Sequence, residues 1–509
     1  MQRREDIWAR PASRRRAAAT HAILGYGAIG VSIVTGIVMV PMYLRHIPVR
    51  LYGLWLATGG VIGWLGMLDL GIAGVMGQRM AAAYGRRDAR TIGLYYFNGL
   101  LLQTVLIGVL MLAAIALCPF LPGWLGATPQ EAPLLTRCNL LACLAMGLTI
   151  FGYGQKNTAD ALLRPFVPSM MISVGGVFSV LVMILCFQED LGLYSLPVGM
   201  VSGSTLTVAV TLTYSLRLVR STGSPLRWDR ATMTELLRLS PAMLVGKAGN
   251  ALVGRIEPTL ISSMMRPEDA VAFSVTRRAA DIVQIMMDRV LGSVVAGFAH
   301  HVAEGNRERS AGLVSRIVSV SLTVGMIALA VYLFANASFV ALWLGPKFFA
   351  GHAVTTLVAL SVMALVFNNV YSCLLGATGD MARPALAGGL EAVTRFTLMA
   401  ALLRVIGMAG APLAVGISSG AFTVWLYLRL RRRLPPPDGY DAKQWRWKVV
   451  CAVGTIGAST ALGVFWRADH WWSLTLTASI CLILVATIWL PLDPTVRQTW
   501  QRQAQRLRS

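Results

Sequence analysis

Fourteen long apolar stretches follow one another along this chain, and nothing else in the sequence limits its fold so strongly. A hydrocarbon core about 30 Å thick is crossed by about 20 helical residues. In lipid only helices or closed barrels satisfy the backbone. The stretches lie at 20–44, 51–76, 91–118, 134–155, 165–187, 194–216, 239–265, 270–300, 312–336, 352–376, 384–408, 412–430, 449–466 and 472–490, and their lengths are helical. With 56% hydrophobic residues and a mean hydropathy of +0.62, an ordinary soluble domain is excluded.

Six stretches repeat another six at an offset of 217–219 residues. Trp124-Leu125-Gly126 returns as Trp343-Leu344-Gly345, Arg164-Pro165 as Arg383-Pro384, Gly93-Leu94 as Gly312-Leu313 and Asp69 as Asp288. Pro41 returns as Pro258, and the pair Gly199/Gly203 as Gly416/Gly420. Two matched halves in the same orientation are the pattern of a transporter whose halves rock about a central site. The expected fold is an all-α polytopic membrane protein of about 14 transmembrane helices, two parallel-repeat six-helix lobes plus two C-terminal helices. The expected parts are an N-tail (1–19), an N-lobe (20–238), a C-lobe (239–430), a basic Pro-rich loop (431–448), two extra spans (449–490) and a C-tail (491–509).

A net charge of +22 would suit a nucleic-acid binder, but the positions of the 45 Lys and Arg residues point elsewhere. One set of loops and tails holds 32 of them, and the opposite loops and span edges hold 6. This is the positive-inside pattern, and it places both termini in the cytoplasm. The run Arg14-Arg15-Arg16 reads as a topogenic anchor, and the seven cysteines, without metal-ligand spacing, as small core residues. External loops reach about fifteen residues, at 119–133 and 337–351, too short for a catalytic domain. The larger cytoplasmic connections lack a phosphate-cradling glycine loop. An enzyme is therefore not expected: neither catalytic residues nor metal ligands nor a cofactor are assigned, and transport is expected to be downhill or coupled to H+ or Na+.

Twelve charges fall inside the expected spans: Lys247, Arg255, Arg277, Arg278, Arg289, Arg395, Arg404, Asp69, Glu257, Asp281, Asp288 and Glu391. Each costs roughly 2.5–3.5 kcal/mol at the centre of a lipid-facing helix. They are therefore expected to face one another or water. Arg277, Asp281, Gln284 and Asp288 recur at helical spacing and form one stripe. On the seventh span Lys247, Asn250, Gly254 and Pro258 share a face, with Arg255 and Glu257 flanking it, and Pro258 is expected to open the backbone. Glu391 and Arg395 form an i, i+4 pair, which either lines the cavity or locks helices together. Across the seventh and eighth spans five bases outnumber three acids, and such an excess suits an anion. Arginine suits phosphate through its planar donor fork. The expected diphosphate-binding set is Lys247, Arg255, Arg277 and Arg278, with Glu257, Asp281, Asp288, Arg289, Glu391 and Arg395 as cavity ion pairs or coupling groups.

The segments Leu51-Tyr52-Gly53-Leu54-Trp55, Met67-Leu68-Asp69-Leu70-Gly71-Ile72 and Ala341-Leu342-Trp343-Leu344-Gly345-Pro346-Lys347-Phe348 carry a family resemblance. The chain resembles the polysaccharide-lipid (O-antigen/exopolysaccharide, Wzx-like) flippases of the multidrug/oligosaccharidyl-lipid/polysaccharide exporter superfamily. The resemblance implies a carrier of undecaprenyl-diphosphate-linked oligosaccharide from the cytoplasmic to the outer leaflet, working beside a polymerase and chain-length or export proteins. Charged pairs of the peptidoglycan-precursor branch and an acid of the multidrug branch are absent from the first span, which favours the polysaccharide branch. Alternatives are a cation-coupled multidrug antiporter, a peptidoglycan lipid-precursor flippase and a non-transporting scaffold.

Overall fold

The computed structural model describes residues 14–65, 71–240, 256–304, 307–380, 382–434 and 442–493. All regular structure there is helical. Nine segments among the described residues are long and apolar enough to cross a bilayer, one of them, Arg383–Arg433, made of two successive helices. The chain divides into two compact units, Met1–Ser263 and Met264–Ser509.

In the first unit α1 (Arg14–His46), α2 (Val49–Leu65), α3 (Ile72–Gly85), α4 (Ala89–Leu117), the short α5 (Leu121–Trp124), α6 (Ala132–Ala161), α7 (Phe166–Gln188) and α8 (Ser195–Ser221) are followed by α9 (230–240) and α10 (Glu257–Met264). α8 packs on α6 and α7, and α6 on α3 and α4. The span expected at 51–76 is two helices: Gly71 takes a left-handed φ of 70° and starts α3, a conformation open to glycine at little cost. α7 and α8 approach closely, since a Cβ on Gly203 would lie 2.4 Å from the Gly175 carbonyl oxygen. Pro41 sits inside α1, whereas its repeat partner Pro258 is the second residue of α10, after a non-helical Ile256.

The second unit holds α11 (Pro267–Ala303), α12 (Arg307–Trp343), α13 (His352–Ala377), α14 (Ala382–Ile406), α15 (Gly410–Arg433), α16 (Ala442–Phe465) and α17 (Trp471–Trp489). Here α15 packs on α13 and α14, and α13 on α11 and α12. This is the pairing of α8 with α6 and α7, and of α6 with α3 and α4, one repeat later. The recurring Trp-Leu-Gly has a backbone cause: Gly126 and Gly345 both take positive φ, 74° and 102°, where the chain turns. α16 and α17 pack on α12 and have no counterpart among the described residues of the first unit.

Candidate functional site

α11 starts at Pro267, where a missing N–H costs nothing, with Glu268 and Asp269 in its first turn against the positive end of the helix dipole. It then runs unbroken, so Arg277, Asp281, Gln284 and Asp288 do share a face. Buried contacts fix its rotation. Tyr332 Oη and Asn336 Nδ2 of α12 donate to the Thr276 carbonyl at 3.1 and 3.0 Å, and the Ala350 N–H donates to Thr276 Oγ1 at 2.9 Å.

The next residue, Arg277, donates from Nε to Asp281 Oδ1 at 2.7 Å. The Arg277 side chain is 11% exposed and that of Asp281 38%, so the pair reaches the surface of the unit through its acid. Arg278 is half-buried and has no hydrogen-bond or ion-pair partner among the described residues. Further along the stripe Asp288 accepts from Asn369 Nδ2 of α13 at 2.7 Å, and Asn369 Oδ1 accepts from the Cys373 thiol at 3.5 Å.

Glu391 and Arg395 behave differently. Arg395 NH2 donates to Glu391 Oε1 and, at 2.6 Å, to Ser419 Oγ, while its Nε donates to Ser418 Oγ at 3.4 Å. Glu391 also accepts from Asn368 Nδ2 at 3.0 Å and from Ser419 Oγ at 2.7 Å. With Arg395 1% and Glu391 4% exposed, the knot joins α13, α14 and α15 inside the unit and leaves no face open to a ligand.

Lys247 and Arg255 lie outside the described residues, as do Asp69 and the Arg289 side chain. Glu257 is 1% exposed at the start of α10, which Thr259 Oγ1 ties to the Ala57 carbonyl of α2 at 2.7 Å. Among the described residues no three His, Cys, Asp or Glu side chains converge as a metal site would require.

Two features escaped sequence reasoning. Lys448 of α16, 2% exposed, donates to Ser319 Oγ of α12 at 2.6 Å, and Ser319 donates to Asp493 Oδ2 just after α17 at 2.7 Å. These positions are 129 and 174 residues apart, so no local spacing announces the network. The other is an apolar cavity of about 520 Å3 between α12, α16 and α17, lined by Phe334, Ala458, Leu462, Trp466, Leu484 and Ile488 among others.

The family described as lipid II flippase MurJ matches residues 89–487, most of the chain. The chain belongs to the MurJ lipid II flippase family. No curated protein matches the sequence. Among solved structures, a lipid II flippase MurJ in its inward closed conformation superposes with a TM-score of 0.71 at 11% identity, covering 93% of this chain and 98% of that one. A mutant of the Vibrio cholerae MATE transporter VcmN gives 0.60 at 13%, covering 82% and 97%. An outward-facing multidrug resistance MATE transporter of the MOP superfamily gives 0.60 at 12%, covering 84% and 98%. At such identities these likenesses establish the fold alone.

MurJ membership corrects the branch that the sequence motifs suggested. Two of the three motifs, Leu51–Trp55 and Met67–Ile72, precede the matched region, and the third is the end of α12 and the turn at Gly345. Such a motif records a helix stop and carries no information about the sugar. The charged pairs of the peptidoglycan-precursor branch remain absent from the first span, and the polar stripe of this chain lies on α11 instead.

Proposed function

We propose that this chain moves the undecaprenyl-diphosphate-linked peptidoglycan precursor across the bacterial inner membrane, from the cytoplasmic to the outer leaflet. The observation that carries the reading is the adjacent arginine pair of α11 in a chain of the MurJ family: a half-buried Arg278 without a described partner stands beside Arg277, whose carboxylate partner is itself part-exposed. A lone guanidinium at membrane depth is costly unless an anion or water meets it. A diphosphate presents the oxygens that a guanidinium fork binds in pairs. Lys247 and Arg255 belong to the same proposed set by sequence.

The headgroup needs help because each sugar or peptide polar group taken unpaired through hydrocarbon costs several kcal/mol. The polyprenyl tail does not, and the apolar cavity between α12, α16 and α17 is suited to hydrocarbon. Outward movement of an anion also gains about 2.3 kcal/mol per charge per 100 mV of inside-negative potential. Under H+ or Na+ coupling, Asp288 and Asp281 are the carboxylates placed to take the ion, with Asn369 orienting Asp288.

Depletion of the chain in growing cells, followed by assignment of lipid-linked precursors to leaflets, tests this. Peptidoglycan precursor should accumulate in the cytoplasmic leaflet and the wall should fail. Intact wall synthesis with loss of a surface polysaccharide would overturn the reading.

A further inference from the structure

The outer face of α9 carries none of the residues assigned above to the substrate. Its inner face is firmly docked: Leu236 is fully buried with Met76, Met80, Tyr96 and Val219, and Glu235 bonds Tyr95 Oη and pairs with Arg79 at 2.5 Å. Asp229 caps the helix by accepting from the Thr232 N–H at 2.8 Å and hydroxyl at 2.6 Å. The entry to α9 is held by Asn98 of α4, which is fully buried. Asn98 Nδ2 donates to the Arg227 carbonyl at 3.2 Å and its Oδ1 accepts from the Asp229 N–H at 3.1 Å. Gly93 lets the same segment in, since a Cβ there would lie 2.4 Å from the Pro225 oxygen. α9 is therefore a rigid part of the unit and not a slack connection.

Its outward side carries Trp228, 58% exposed, and Leu237, 49% exposed, among the exposed Arg227, Arg230 and Arg238. Positions 230, 234, 237 and 238 share one helical face. The surface stands at the basic end of the unit, where Arg86, Arg87 and Arg90 precede or open α4 and Arg220 ends α8. Water gives no reason to hold a tryptophan and a leucine out among three arginines on a docked helix. A membrane interface does: tryptophan settles at headgroup level, and guanidinium groups bind lipid phosphates.

We propose that α9 and its entry form a binding surface for anionic phospholipid headgroups of the cytoplasmic leaflet. Trp228 and Leu237 seat between headgroups, and Arg227, Arg230 and Arg238 hold phosphates. Charge complementarity selects lipid as the occupant: the exposed Arg227, Arg230 and Arg238 are positive, the part-exposed Asp229 and Glu235 are taken up by the helix cap and by Arg79, and that leaflet is negatively charged.

The test places a nitroxide at position 228 through Trp228→Cys, and separately at 237 through Leu237→Cys, in the full chain, with label taken up by the parent chain subtracted. The protein is reconstituted in vesicles of phosphatidylcholine with or without phosphatidylglycerol. Accessibility to oxygen and to a water-soluble nickel chelate then reports depth. Expected is headgroup-level depth at both sites with phosphatidylglycerol, shallower without it, the difference being lost in the Arg227→Gln/Arg230→Gln/Arg238→Gln background. Either labelled variant suffices if the other does not fold. Aqueous accessibility in both vesicles overturns the proposal. Shielding from both reagents overturns it in favour of a protein contact, and depth indifferent to phosphatidylglycerol and to the arginines overturns headgroup recognition.

Discussion

Arg277 and Arg278 adjoin in sequence but meet different surroundings, the first hydrogen-bonded to Asp281 and the second facing no described partner. Under the proposed role, Arg278 meets substrate and should be dispensable for folding. Arg278→Gln is therefore expected to lower transport about tenfold or more, a loss of about 1.4 kcal/mol or greater, while the thermal unfolding midpoint in detergent stays at the parent value. Arg395 should show the reverse. Its guanidinium binds Glu391, Ser418 and Ser419, so Arg395→Met leaves a buried carboxylate and should cost roughly 3–5 kcal/mol. Adding Glu391→Leu should recover much of that loss, a sign read in a double-mutant cycle of detergent unfolding. At the aqueous edge, Thr91 holds the Asp88 carboxyl below its ordinary value of 3.8 through hydroxyl and N–H bonds. The folded pKa is lower than the unfolded one, so the cap contributes fully above pH 3.8 and is lost as pH falls through the folded value. Asp88→Ala should cost about 0.5–2 kcal/mol at pH 7, with the difference shrinking below pH 3.8 in paired melts.

Between helices, the two units reuse one packing plan with unequal tightness. Gly203 faces the Gly175 oxygen at 2.4 Å and Gly199 the Ser179 oxygen at 2.6 Å from a built Cβ, whereas Gly420 has open space and Gly416 meets Ser361 no closer than 3.8 Å. Gly203→Ala should lower the melting midpoint and the monodisperse yield, at a cost of roughly 1–3 kcal/mol. Gly420→Ala should leave both unchanged. The repeat was legible in sequence because helix stops such as Gly126 and Gly345 demand particular residues. The Glu391/Arg395 pair was legible because its partners are one helical turn apart. Asn368, Ser418 and Ser419 were not, since they come from other helices and are ordinary residues in any span. The same reason hid Lys448, Ser319 and Asp493. The break at Gly71 was hidden because hydropathy runs through it unchanged. Lys448→Met, which removes the ammonium that Ser319 bridges to Asp493, should loosen α16 and α17 from α12 and lower the melting midpoint.

At the scale of the whole molecule, apolar length and the internal repeat were enough to indicate a helical membrane protein of two related halves, because bilayer thickness and backbone satisfaction leave few solutions. Substrate class was not legible in the same way. It depends on which polar groups meet one anionic headgroup, and of the motifs most visible in the sequence one lies inside α2 and another is the turn at Gly345. The central claim joins the two: a MurJ-family carrier whose α11 arginines handle the headgroup of the peptidoglycan precursor. The most direct measurement is leaflet assignment of that precursor in cells depleted of the native chain and supplied with either the parent sequence or Arg277→Gln/Arg278→Gln, with membrane insertion matched. The parent should restore outer-leaflet precursor, and the double variant should leave it in the cytoplasmic leaflet. Full restoration by the double variant would contradict the account.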